Sequence, residues 1–152
     1  MSELSDLYNE LIRDRARGTW NVGRLPTANR EGEGHNPLCG DHLHLYLRVE
    51  GDVVEDATFV ADAGCAISRA SASLMTEVIK GKTRREIDAL FDAFHHLATT
   101  GEALPDGPEL GKLEAFDGVH QFPARVKCAS LAWHTLKTTL ERPGEVVCTE
   151  CP

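Results

Sequence analysis

From His42 to Glu50 the chain alternates, one residue at a time, between His42, His44, Tyr46, Arg48 and Glu50 on one side and Leu43, Leu45, Leu47 and Val49 on the other. A period of two belongs to a half-buried β-strand, because successive side chains leave opposite faces of the pleat. Gly51 and Asp52 then turn the chain, and Ala57, Phe59 and Ala61 share one face of a second run from Val53 to Ala61. The spacing predicts an antiparallel hairpin. That hairpin constrains its surroundings: it carries Cys39-Gly40-Asp41, just before its first strand, to the side of Cys65, just after its second.

Outside the hairpin the apolar period is helical. Leu4, Leu7, Tyr8, Leu11 and Ile12, behind a cap at Ser2, predict a helix from about Glu3 to Arg17, ended by Gly18. Residues 19–37 are rich in Gly, Asn and Arg, show no period and read as a mobile loop. Ile67, Ala70, Leu74 and Val78 predict a helix over Ala66–Lys80, with Cys65 at its start and Gly81 at its end. Thr83-Arg84-Arg85-Glu86 reads as a capping box opening a third helix, which Ile87, Leu90, Phe91, Phe94 and Leu97 continue to Gly101. Prolines and glycines between Gly101 and Pro123 indicate a surface excursion with a short helical turn around Leu110–Phe116. Leu131, Ala132, Leu136 and Leu140 mark a final helix that stops before Pro143 and has Cys128 at its start.

The expected fold class is α+β, a small antiparallel sheet of about three strands packed against several helices. Residues 1–143 would form one domain and 144–152 a flexible tail holding Cys148 and Cys151 in a Cys-x-x-Cys. A chain of 152 residues buries enough surface to fold without staples, so the cysteines are not a secreted disulfide framework. Sixteen basic against 24 acidic residues, a net charge of −8, argue against nucleic acid as a partner. No apolar run approaches the roughly 18 residues of a membrane span, and the N-terminus lacks a basic stretch followed by an apolar core. These features indicate an unprocessed cytoplasmic protein with no membrane partner.

Chemistry concentrates in Cys39, Asp41, Cys65 and Cys128. Three thiolates and a carboxylate suit tetrahedral Zn²⁺, and the same residues could ligate an iron–sulfur cluster. Cysteines at helix N-termini are favoured as thiolates by the unpaired N–H groups and the helix dipole. Arg125 and Lys127 beside Cys128 add positive charge there. Cys39 and Asp41 share one short loop turned by Gly40, so Cys39 is the thiol best placed to leave a metal and act as a nucleophile.

Blander readings are a closed, stabilising zinc site or three buried cysteines without metal. Of the seven histidines, His42 and His44 alternate with core leucines and point outward, and His95 and His96 fall on a helix whose apolar side is already assigned. His120 and His134 carry no pattern, and His35, near Cys39 in sequence, is a candidate supporting group but not a ligand. Cys148 and Cys151 leave open a tail disulfide, a transient thiol pair or adventitious metal binding, and read as a redox or sulfur-relay pair or as a mobile tail, while the N-terminal arginines read as a solvated or docking face.

In combination, Asn36-Pro37-Leu38-Cys39-Gly40-Asp41, Gly64-Cys65-Ala66-Ile67-Ser68 with Ala70-Ser71-Ala72-Ser73 behind it, Lys80-Gly81-Lys82 and Phe122-Pro123-Ala124-Arg125-Val126-Lys127-Cys128-Ala129 resemble the U-type iron–sulfur assembly proteins over nearly the whole chain. The SufU branch matches better than the IscU branch, on the excursion of about twenty residues after Gly101 and on Lys127, where the scaffold type carries histidine. The resemblance implies a SufE/IscU-like fold and zinc held by Cys39, Asp41, Cys65 and Cys128. It further implies a sulfurtransferase that accepts persulfide sulfur on Cys39 from a PLP-dependent, SufS-type cysteine desulfurase, once a desulfurase histidine replaces Cys39 on the metal. Downstream SUF scaffold proteins would receive the sulfur. The alternatives are a scaffold carrying a [2Fe-2S] or [4Fe-4S] cluster on the same ligands and a non-catalytic, zinc-stabilised interaction module.

Overall fold

The computed structural model describes residues 9–37 and 40–148. Five strands form one sheet: β1 (Arg30–Asn36), β2 (Asp41–Glu50), β3 (Val53–Ala63), β4 (Lys82–Thr83) and β5 (Val146–Cys148), in the order β4-β3-β2-β1-β5. Four α-helices stand among the described residues: α1 (Glu10–Arg17), α2 (Ala66–Ile79), α3 (Arg84–Thr100) and α4 (Pro123–Glu141).

The hairpin forms as its period requires. β2 pairs antiparallel with β3, and Leu43, Leu45, Leu47 and Val49 turn into the core against Val54, Ala57 and Phe59. The register slips where His42 pairs with Ala63 and Leu43 with Ala61. Such a bulge re-aims the strand end, here next to Asp41 and Gly64.

The sheet has five strands rather than about three, and β1 replaces the loop expected over residues 19–37. β1 escaped the period test because its inward positions are Gly32, Gly34 and Asn36 rather than large apolar residues. Glycine is required there by the close approach of α4. A Cβ on Gly32 would lie 1.8 Å from Thr139 Oγ1, and one on Gly34 would lie 2.2 Å from Thr135 Oγ1. The segment beyond Pro143, expected as a tail, supplies β5, which runs parallel to β1 with Gly34 opposite Val147 and His35 opposite Cys148.

α1 starts at Glu10, one residue after Asn9, whose extended backbone and side-chain hydrogen bond from the Ile12 N–H (3.1 Å) cap it. The helix therefore does not run unbroken from Glu3, and the proposed cap at Ser2 lies outside the described residues. Ile12 is fully buried, and Arg15, 6% exposed, reaches Glu77 of α2 at 2.8 Å. α2 and α3 have the expected limits to within a residue, and the Thr83–Glu86 capping box is formed in both directions.

The excursion between α3 and α4 is not wholly superficial. Leu110, Leu113, Phe116 and Val119 enter the core from two short 3-10 turns, Gly111–Phe116 and Val119–Gln121. Phe116 meets Phe94 edge to face at 5.6 Å, and Phe94 stacks on Trp133 at 5.0 Å, so the excursion closes the end of the α3–α4 pair.

Candidate metal centre

Asp41 opens β2, opposite Asn36 of β1, and its side chain is fully buried. Cys65 is the N-cap of α2 and half-buried, while Cys128 lies on α4 and is fully buried. One ligand atom from each of Asp41, Cys65 and Cys128 lies within 4.8 Å of the other two. The hairpin brings Asp41 and Cys65 together, and the packing of α4 across β1 and α2 adds the third residue from the far end of the chain.

The backbone N–H of Cys65 donates to Asp41 Oδ1 at 2.9 Å, locking the start of α2 to the start of β2. Asn36 Nδ2 donates to Asp41 Oδ2 at 3.4 Å and to Cys128 Sγ at 3.7 Å. Asn36 thus touches two of the three clustered residues from behind, and its own Oδ1 is buried without a hydrogen-bond partner. The sequence reading missed this role. The available signal was the position of Asn36 at the head of the Asn-Pro-Leu-Cys-Gly-Asp run, but nothing in the sequence revealed that it ends a strand.

The Cys65 thiol is pulled down to about 6, first by the hydrogen bond from Cys128 and then by the Ser68 and Ile67 N–H groups of the α2 N-terminus. Burial and the Asp41 charge oppose that pull. The local groups therefore favour the Cys65 thiolate, the form that binds metal. Cys128 differs from its expected setting. α4 already begins at Pro123, so Cys128 stands in its second turn, where its sulfur lies 3.5 Å from the Ala124 carbonyl oxygen. Proline suits the first position of a helix because its missing N–H is unneeded there. The helix N-terminus therefore acts on Cys65 rather than on Cys128.

Of the remaining expected residues, Cys39 and Cys151 lie outside the described residues. Gly40, next to Cys39, has φ +71°, the left-handed conformation that glycine adopts without strain. His35 is exposed on the outer side of β1, edge-on to His42 at 5.6 Å, and not against the buried cluster. Lys127 is exposed and Arg125 half-buried on the first turns of α4. Lys127 lines a cavity of about 430 Å³ with His95, Val126, Ser130, His134 and Cys148. Cys148, at the end of β5, is disulfide-bonded.

Two thiols and a carboxylate in a space this small form a donor set for a soft or borderline cation. Three acidic groups with little water around them need positive charge to coexist in ionised form. Residues 7–138 match the NifU-like N-terminal domain. The chain belongs to that family. Among NifU-like relatives, the zinc-dependent sulfurtransferase SufU of Bacillus subtilis is 40% identical over 136 residues, covering 90% of either chain. The iron–sulfur cluster assembly scaffold protein IscU of Streptococcus pyogenes is 37% identical over 142 residues, covering 93% of this chain and 87% of that one. A solved structure from Fervidobacterium islandicum, described as an iron–sulfur cluster assembly scaffold for the SUF system, superposes with a TM-score of 0.80 at 34% identity, covering 88% of this chain and 96% of that one. Sulfur transfer and cluster scaffolding are thus both named among relatives of similar identity. No helix among the described residues is long and apolar enough to cross a membrane.

Proposed function

We propose that this NifU-like chain is a zinc-dependent sulfurtransferase of SUF-type iron–sulfur cluster biogenesis. It accepts persulfide sulfur on Cys39 from a PLP-dependent, SufS-type cysteine desulfurase and passes it to downstream SUF scaffold proteins in the cytoplasm. The observation that carries the reading is the meeting of Asp41, Cys65 and Cys128 within 4.8 Å, one glycine away from residue 39. The likeness to a Bacillus subtilis protein named as a zinc-dependent sulfurtransferase supports it.

Asp41, Cys65 and Cys128 would hold the zinc, with Cys39 as the fourth ligand. Bound zinc supplies positive charge that keeps its thiols deprotonated. The protein's own groups do the positioning. The Cys65 N–H fixes one Asp41 oxygen, and the Asn36 amide fixes the other together with the Cys128 sulfur. Cys39 is the nucleophile. Its thiolate attacks the outer sulfur of the desulfurase cysteine persulfide, the S–S bond of that persulfide breaks, and the desulfurase cysteine leaves as thiolate. The sulfane sulfur then rides on Cys39 as a new persulfide.

A second reading, a scaffold holding a [2Fe-2S] or [4Fe-4S] cluster on the same residues, draws support from the scaffold name of the Streptococcus pyogenes relative. Lys127, in the place where the scaffold type carries histidine, favours transfer. One preparation separates the two. A colourless protein with about one tightly held zinc that raises desulfurase turnover, an effect lost in Cys39→Ser, supports transfer. A brown protein carrying iron and acid-labile sulfide supports the scaffold, and zinc without effect on turnover leaves an inert interaction module.

A further inference from the structure

The outer face of the sheet carries a second convergence of ligand atoms. Glu33 of β1 stands directly opposite His44 of β2 in the antiparallel register, and His42 is two residues from His44 on the same face. His42 Nε2 lies 2.7 Å from Glu33 Oε2, and His44 Nε2 lies 3.8 Å from Glu33 Oε1, so each imidazole addresses a different oxygen of one carboxylate. One ligand atom from each of the three lies within 4.8 Å of the others, and all three residues are half-buried. The His42 and His44 rings meet edge to face at 5.2 Å.

We propose that Glu33, His42 and His44 form a second divalent-cation site, one that takes a borderline ion such as Zn²⁺ or Co²⁺ through two imidazole nitrogens and a carboxylate oxygen. Three ligands from among the described residues are the number a catalytic or exchangeable zinc site takes from protein, whereas closed sites take four. Nitrogen and oxygen donors suit borderline ions, whereas the buried cluster offers two sulfurs. Preorganisation comes from the backbone. The β1–β2 ladder fixes the three Cα positions, so ion binding orders only short side chains that already touch. Asp41 faces the core while His42, its neighbour on the strand, faces out, which puts the two sites on opposite faces of β2.

Protein first given one equivalent of Zn²⁺ and dialysed is titrated with Co²⁺ by calorimetry and absorption spectroscopy. A second equivalent should bind with d–d bands but without sulfur-to-cobalt charge transfer. Glu33→Gln and His44→Ala should each weaken it at least about tenfold, and Cys65→Ser should leave it in place. In the unsubstituted protein, a second equivalent of Zn²⁺ should shift the ¹H–¹⁵N imidazole resonances of His42 and His44 and leave those of His95 and His120 unmoved. The absence of a second equivalent, a second ion indifferent to both variants, or a thiolate charge-transfer band on that ion would each overturn the assignment.

Discussion

The Cys65 N–H and Asp41 Oδ1 are joined by a 2.9 Å hydrogen bond that ties the first turn of α2 to the first residue of β2. Through this bond the carboxylate is held by the element that carries its neighbouring thiol. Asp41→Ala removes the acceptor for both the Cys65 N–H and the Asn36 amide, and zinc retention should fall at least about tenfold in a chelator competition. Asp41→Asn, which keeps an oxygen for the Cys65 N–H, should lose less. Equal zinc retention in Asp41→Ala and the unsubstituted protein would remove Asp41 from the ligand set.

Removing the metal should lower the melting temperature, since Asp41 and Cys128 are both fully buried and the Cys65 thiol beside them is pulled toward its charged form. In a Glu33→Gln background, which removes the carboxylate of the outer-face cluster, Cys65→Ser should melt near the metal-free protein and gain nothing from added zinc. Differential scanning calorimetry with and without chelator checks this, and a zinc-dependent rise that survives in the Glu33→Gln/Cys65→Ser double variant would contradict it.

Gly32→Ala should destabilise the protein by about 1–3 kcal/mol, because the new methyl would meet the Thr139 side chain. Thr139→Ala removes the hydroxyl that lies 1.8 Å from the position of that methyl and should restore part of the loss. Urea denaturation of the two single variants and the double variant measures the coupling. Strict additivity would show that α4 does not press on β1 at this point.

Phe116→Ala should cost about 3–5 kcal/mol, as for a large aromatic in a packed core, although it lies in a stretch rich in proline and glycine. A loss below about 0.5 kcal/mol, the range of surface substitutions, would return the excursion to the surface.

Two groups should shape stability against pH in separate windows. The Glu77 carboxyl is held below its ordinary 4.5, first by the hydrogen bond from Arg15, with Lys112 also contributing. A carboxyl with a depressed folded value stabilises the fold above the unfolded value and loses that contribution as pH falls through the folded one. The gap between the unsubstituted protein and Glu77→Gln should therefore be constant at neutral pH and close below 4.5. His134 is also depressed, from 6.5, first by burial and then by His95 and Lys137. Its neutral form is the one the fold favours, so stability should decline as pH drops through 6.5, and His134→Gln should flatten that decline. Denaturation midpoints between pH 8 and 3 test both, and parallel curves for all three proteins would refute both.

Much of the architecture was legible because it rests on local rules. The alternation of Leu43 to Val49, the turn at Gly51 and the Thr83–Glu86 box act over a few residues, and the hairpin, α2 and α3 follow from them. The approach of Asp41 to Cys65 was legible for the same reason, since one hairpin separates them. β1 was not, because Gly32 and Gly34 face inward where α4 leaves no room for a side chain, and a glycine gives no hydrophobic period.

By itself the amino-acid order determined which segments become hairpin and helix and which residue types carry the chemistry, since propensity, capping and alternation are properties of neighbours along the chain. Tertiary packing alone decided that Asn36 braces Asp41 and Cys128, that Cys128 sits one turn inside α4, and that Glu33 meets His42 and His44 on the outer face. Those relations depend on how β1 pairs with β2 and how α4 lies across β1. Strand register and helix packing are set by the summed burial of the whole core, which no short window of sequence contains.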